Sequence, residues 1–129
     1  MDQSKILVAD DSGTIRTVVR RILTTAGYDV VLACDGRQAV DQCSAEQPNL
    51  VILDIQMPEM DGYAACQEIL KLTDGGACLP IVFLTRDTAN HLDALGSELG
   101  AYLPKPVRED KLLATVDSLL HSHAMPQAV

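Results

Sequence analysis

The chain has 129 residues, 47% of them hydrophobic, which is enough for one well-formed core and leaves little for a second domain. Its formal net charge is −8, from 18 acidic against 10 basic residues, a sign that opposes nonspecific binding to nucleic acid. Three Tyr, one Phe and no Trp make a poor base-stacking surface, and no apolar run approaches the roughly 18 residues of a membrane span. The opening Met1-Asp2-Gln3-Ser4-Lys5 lacks the basic start and cleavage site of a signal peptide, so a cytoplasmic protein that does not engage membranes is expected.

Ile6-Leu7-Val8-Ala9 is the first apolar run with strand character. Ile15, Val18, Val19, Ile22, Leu23 and Ala26 then recur at three- and four-residue steps, a helical stripe that Arg16, Arg20 and Arg21 fall off and Gly27 ends. After a second run at Val30-Val31-Leu32-Ala33, Asp35-Gly36 opens a weaker helix through Ala39, Val40 and Cys43. A third run, Leu50-Val51-Ile52-Leu53, leads to a helix that Asp61 caps, with Ala65, Ile69 and Leu72 on one side and Gly75-Gly76 as its stop. Ile81-Val82-Phe83-Leu84 is the fourth run, followed by a helix capped at Asp87 or Thr88 that carries Leu92, Leu95 and Leu99. Ala101-Tyr102-Leu103 is a short fifth strand, and Leu112, Leu113, Val116, Leu119 and Leu120 form the clearest helical stripe. Periodicity stops near His123, so residues 1–122 read as one domain and 123–129 as a flexible tail.

Five alternations of strand and helix with short links imply right-handed crossovers and an α/β fold, a doubly wound five-stranded parallel sheet. The first four runs are nearly continuous in hydrophobicity, which suits strands buried on both faces. Cys34, Cys43, Cys66 and Cys78 form no Cys-x-x-Cys pair and read as reduced packing residues. His91, His121 and His123 have no partner at metal-ligand spacing.

Ligands of such folds gather outside the carboxyl ends of the strands. There the first run ends in Asp10-Asp11, the third in Asp54 and the fourth in Thr85, while Lys105 follows the fifth. Three clustered carboxylates repel, so one keeps its proton or a cation joins them. An all-oxygen set with few protein ligands suits Mg²⁺, which also binds phosphate oxygens. Asp54 is then placed as a nucleophile toward phosphorus, Thr85 as a hydrogen-bond donor to a phosphoryl oxygen, and Lys105 as a balancing charge. Each residue alone has a blander reading as a helix cap or solvated charge, but all four holding at once, each just after a strand, is improbable.

These residues resemble the receiver domains of two-component response regulators. The matching text is ILVADDS at 6–12, VILDIQMPEMDGY at 51–63, IVFLT at 81–85 and YLPKP at 102–106. The resemblance implies a flavodoxin-like (βα)5 domain, of the single-domain chemotaxis-regulator type, with strand order 2-1-3-4-5. It implies that Asp54 accepts a phosphoryl group, and that Mg²⁺ (or Mn²⁺) is held by Asp11, Asp54 and the Gln56 backbone carbonyl, with Asp10 acting largely through water. Thr85 and Lys105 would contact the phosphate, Tyr102 would be the aromatic switch, and the Lys105-Pro106 bond would be cis. The donor would be a phosphohistidine on a sensor histidine kinase or histidine phosphotransfer domain. Arg16, Arg20 and Arg21 on the first helix are either docking charges for an acidic partner surface or, the commoner case, a solvated helix face. A downstream protein would read the face made by the fourth predicted helix, fifth strand and fifth helix, with no direct nucleic-acid contact. The protein would be a switch that catalyses only its own phosphoryl transfer and autodephosphorylation.

Two features depart from the family pattern. Arg86 stands where a small residue is usual, and slower phosphotransfer with a longer-lived phosphate is the expected effect; Gln56 also sits where it can influence access of water. The stretch at Gly100-Ala101 is shorter than usual, so the fifth strand is expected to begin abruptly or the preceding helix to end early. Two other classes fit poorly. A haloacid-dehalogenase-like phosphohydrolase normally has a second acid where Gln56 stands, and a flavin carrier needs more aromatic residues.

Overall fold

The computed structural model describes residues 4–57, 59–72, 79–85 and 100–124. In chain order these form β1 (Lys5–Ala9), α1 (Gly13–Thr25), β2 (Asp29–Ala33), α2 (Gly36–Glu46), β3 (Leu50–Asp54), α3 (Gly62–Leu72), β4 (Ile81–Thr85), β5 (Gly100–Pro104) and a C-terminal helix, Glu109–Ala124. All five strands are parallel, in the order β2-β1-β3-β4-β5. The helix expected after β4, together with Arg86, His91, Cys78 and the Gly75-Gly76 stop, lies outside the described residues.

Local chemistry sets the helix starts. The Ser12 hydroxyl accepts the Ile15 N–H, and the Asp35 and Asp61 carboxylates accept the N–H groups of Gln38 and Ala64, each satisfying a first-turn donor that has no partner within the helix. Gly27, at φ +100°, takes the left-handed conformation that ends α1.

Pleating divides the core in two. Leu7, Ala9, Val51, Leu53, Ile81 and Phe83 face α2 and α3, packing on Ala39, Cys43, Ala65, Cys66 and Ile69. Their strand neighbours Ile6, Val8, Leu50, Ile52, Val82 and Leu84 face the other way, against Val19 and Leu23 of α1 and Leu112 and Val116 of the C-terminal helix. The continuous apolar runs of β1, β3 and β4 are explained by this double burial. At the sheet edge, β2 departs from the expectation: Val30, Val31 and Leu32 are only half-buried, because that strand has a neighbour on one side alone.

Three described residues of the expected apolar stripes are exposed, Ala26 at the C-cap of α1 among them. Val18 (38%) sits at the rim of α1, where Val19 and Leu23 make the buried contact, and Leu72 (47%) is the last residue of α3. The fifth strand, from Gly100, pairs along its whole length with β4, and the segment before it, on which the expectation of an abrupt start or an early helix end rests, lies outside the described residues. The C-terminal helix continues through Ala124, past the boundary expected at 122.

Ile52→Ala, deep in the central strand, should destabilise the protein by about 2–5 kcal/mol, whereas Leu72→Ala should cost less than about 1 kcal/mol. Chemical denaturation of the two variants measures the contrast.

Candidate functional site

Strand register assembles the site. Ala9 pairs with Leu53, so the next residues, Asp10 and Asp54, emerge side by side at the carboxyl edge of β1 and β3. Asp54 itself pairs with Leu84, which sets Thr85 one step beyond it. Thr85 pairs with Pro104, and its carbonyl accepts the Lys105 N–H at 2.9 Å. Four residues far apart in the chain thereby share one edge. The Lys105-Pro106 peptide is cis.

Asp10 is fully buried, Asp54 is 4% exposed and Thr85 is 5% exposed, while Asp11 is an exposed residue. The Lys105 ammonium lies 3.1 Å from both Asp10 Oδ2 and Asp54 Oδ1. Asp10 Oδ1 accepts the Ser12 N–H at 2.8 Å, and Asp54 Oδ1 accepts the Gln56 N–H at 3.3 Å. Among the described residues, Asp10 Oδ2 is close to Lys105 yet has no hydrogen bond of acceptable geometry, so the contact is electrostatic. Carboxylate oxygens of Asp10, Asp11 and Asp54 all lie within 4.8 Å of one another.

The Asp54 carboxyl is raised from 3.8 to about 6, first by burial and then by the Asp10 charge, against the lowering effects of Lys105 and the Gln56 N–H. One lysine therefore does not balance the cluster. A buried acceptor oxygen without a hydrogen bond and three converging carboxylates fit a hard divalent cation such as Mg²⁺, with Asp10, Asp11 and Asp54 as the side chains to hold it.

Two supports of the site escaped the sequence reading. Arg16, expected on the solvated face with Arg20 and Arg21, instead turns back, and its Nη1 donates to the Asp10 carbonyl at 2.7 Å. The helical stripe could not reveal this, because the acceptor is a backbone atom one turn before the helix. The second is Gly62, whose N–H donates to the Ile55 carbonyl at 2.8 Å. A Cβ there would collide with the Asp54 carbonyl and come within 2.8 Å of Ile55 Cα, so only glycine lets α3 back onto the loop after β3. The Asp61-Gly62 pair was legible as a cap, but the close approach was not. Gln56 is exposed, its side chain turned to solvent beside the site. Tyr102 is half-buried, its ring on Phe83 and its hydroxyl against Tyr63.

Residues 6–117 match the response regulator receiver domain. The chain belongs to the response regulator receiver family. Among curated relatives, the probable transcriptional regulator ycf27 of Porphyridium aerugineum is 42% identical over 124 residues, which cover 93% of this chain and 49% of the relative. The receiver thus spans about half the length of the curated relatives it matches. Among solved structures, the chemotaxis protein CheY4 of Vibrio cholerae is 32% identical at a TM-score of 0.82, over 91% of this chain and 98% of that one. The receiver domain of the sensor histidine kinase PA1611 of Pseudomonas aeruginosa is 28% identical at a TM-score of 0.81, over 93% and 99% of the two chains. Its structure has a magnesium ion coordinated in the active-site cleft. Receiver domains are switch modules. No helix among the described residues is long and apolar enough to cross a membrane.

Gly62→Ala should push α3 off the loop after β3 and cost about 1–3 kcal/mol, while Gly13→Ala, where a Cβ meets nothing closer than 3.6 Å, should be nearly neutral; thermal unfolding compares them. The raised Asp54 carboxyl has a signed consequence for metal-free protein. The folded state binds this proton more tightly than the unfolded chain, so its stabilisation is complete below about pH 4 and lost as pH rises through about 6. The stability of wild type relative to Asp54→Asn should therefore fall between those limits, as urea unfolding in a chelator at several pH values would record.

Proposed function

We propose that this receiver is a phosphorylation-dependent switch of a two-component phosphorelay, with Asp54 as phosphoacceptor. The observation that carries the reading is the buried pair Asp10 and Asp54 bridged by Lys105, in the same edge as Thr85 and the exposed Asp11.

An Asp54 carboxylate oxygen attacks the phosphorus of a phosphohistidine. A phosphorus–oxygen bond forms, the phosphorus–nitrogen bond breaks, and the donor leaves as histidine. The Lys105 ammonium, now shared between two carboxylates, would turn to the phosphoryl oxygens as Asp54 gives up its own negative oxygen to the new bond. Thr85 would move to donate its hydroxyl to one of those oxygens. Mg²⁺ (or Mn²⁺), held by Asp10, Asp11, Asp54 and the Gln56 carbonyl, would supply charge neutralisation for the phosphoryl group. Hydrolysis of the acyl phosphate resets Asp54, with Gln56 and Arg86 placed by sequence to influence the entry of water.

Movement of Thr85 would open space for Tyr102 and change the output face of β5 and the C-terminal helix. Partners of matching chemistry are a sensor histidine kinase or phosphotransfer domain on the donor side and a protein on the output side. The cell compartment consistent with this chemistry is the cytoplasm.

Intact mass after incubation with acetyl phosphate tests the reading. Wild type should gain one phosphate only when Mg²⁺ is present, and Asp54→Asn should gain none. No adduct on folded, metal-loaded wild type or on Arg86→Ala would reject phosphorylation.

A further inference from the structure

Three of the four aromatic residues in this sequence meet at one point on the α3 side of the sheet. Phe83 and Tyr102 are register partners on β4 and β5, with ring centroids 5.2 Å apart. Tyr63, in the first turn of α3, has its ring centroid 5.1 Å from that of Phe83. The two tyrosine hydroxyls lie 3.3 Å apart, one donating to the other. Burial, and then the Tyr63 hydroxyl, push the Tyr102 phenol above its ordinary value.

A phenol turned inward leaves water behind, and its hydroxyl must find a partner or the rotamer is penalised. Tyr63 supplies that partner. It is also the residue after Gly62, whose N–H holds the Ile55 carbonyl and whose Cα lies against the Asp54 carbonyl. The backbone of the acceptor loop, Gly62, Tyr63, Tyr102 and β5 therefore form one continuous physical path.

We propose that Tyr63 is a positioning residue for the switch: its hydroxyl holds Tyr102 inward before phosphorylation and ties that rotamer to the acceptor loop through Gly62. This rests on the reading of Tyr102 as the aromatic switch. The resting receiver is accordingly drawn toward its switched arrangement, and whatever favours Tyr102 inward favours an occupied Asp54 by the same factor.

Tyr63→Phe keeps the ring on Phe83 and removes only the hydroxyl, so the variant should fold. The readouts are ¹³C-tyrosine NMR of metal-free protein, with Tyr28 as internal reference, and the affinity for beryllofluoride in Mg²⁺. In Tyr63→Phe the Tyr102 signal should shift toward an average of two environments, and beryllofluoride should bind about fivefold more weakly, the change one neutral hydrogen bond supports. Tyr102→Phe should weaken binding similarly, and the double variant no further, since both remove one interaction. An unmoved Tyr102 signal, or wild-type affinity in Tyr63→Phe, would overturn the proposal. Wild type that binds no beryllofluoride would instead overturn the switch reading beneath it.

Discussion

Everything at the functional edge answers to one electrostatic constraint: two carboxylates are buried together with a single ammonium between them. Asp10 and Asp54 each lie 3.1 Å from Lys105 Nζ, and Asp11 adds a third negative charge within reach. Burying charge is costly unless it is paired and hydrogen-bonded, and one cation cannot pair three anions. The imbalance appears where it should, in the raised Asp54 carboxyl and in an Asp10 oxygen without a hydrogen bond among the described residues. Such an edge is poised to take up a cation, and with it a group that carries negative oxygens.

Holding that arrangement is the work of the sheet. A parallel register fixes which residues end level with one another, and the hydrophobic layers on both faces keep the strands from sliding. The loops that carry the acids are then tied down locally. Ser12 and Arg16 hold the Asp10 segment from the helix side, while Gln56 and Gly62 hold the Asp54 segment. Rigid strands with short tethered loops give the positional accuracy that phosphoryl transfer demands, since the chemistry depends on placement more than on proton transfer.

The aromatic path through Tyr63 gives the same edge a mechanical connection to β5. Asp54 on β3 and the strand β5 are separated by β4, so any influence of one on the other must cross one strand of the sheet. Phe83 is the residue of β4 that both tyrosines grip. The chain spans about half of its curated relatives, so under the proposed function the face of β5 is where the rest of a longer protein or a separate partner would read the switch.

Much of this was legible in the sequence because it depends on local order. The alternation of apolar runs with helical stripes determines the α/β class, the caps at Asp35 and Asp61 and the stop at Gly27 follow from near-neighbour hydrogen bonds and backbone freedom, and each site residue sits at or just past the carboxyl end of a strand. Tertiary structure decided what depends on contacts between distant segments. Register alone brings Lys105 between Asp10 and Asp54, the edge position leaves β2 half-exposed, and the angle of α1 puts Val18 outside while Arg16 turns in. Tyr63 meets Tyr102 across 39 positions for the same reason: periodicity records which face a residue takes, but not which distant residue faces it there.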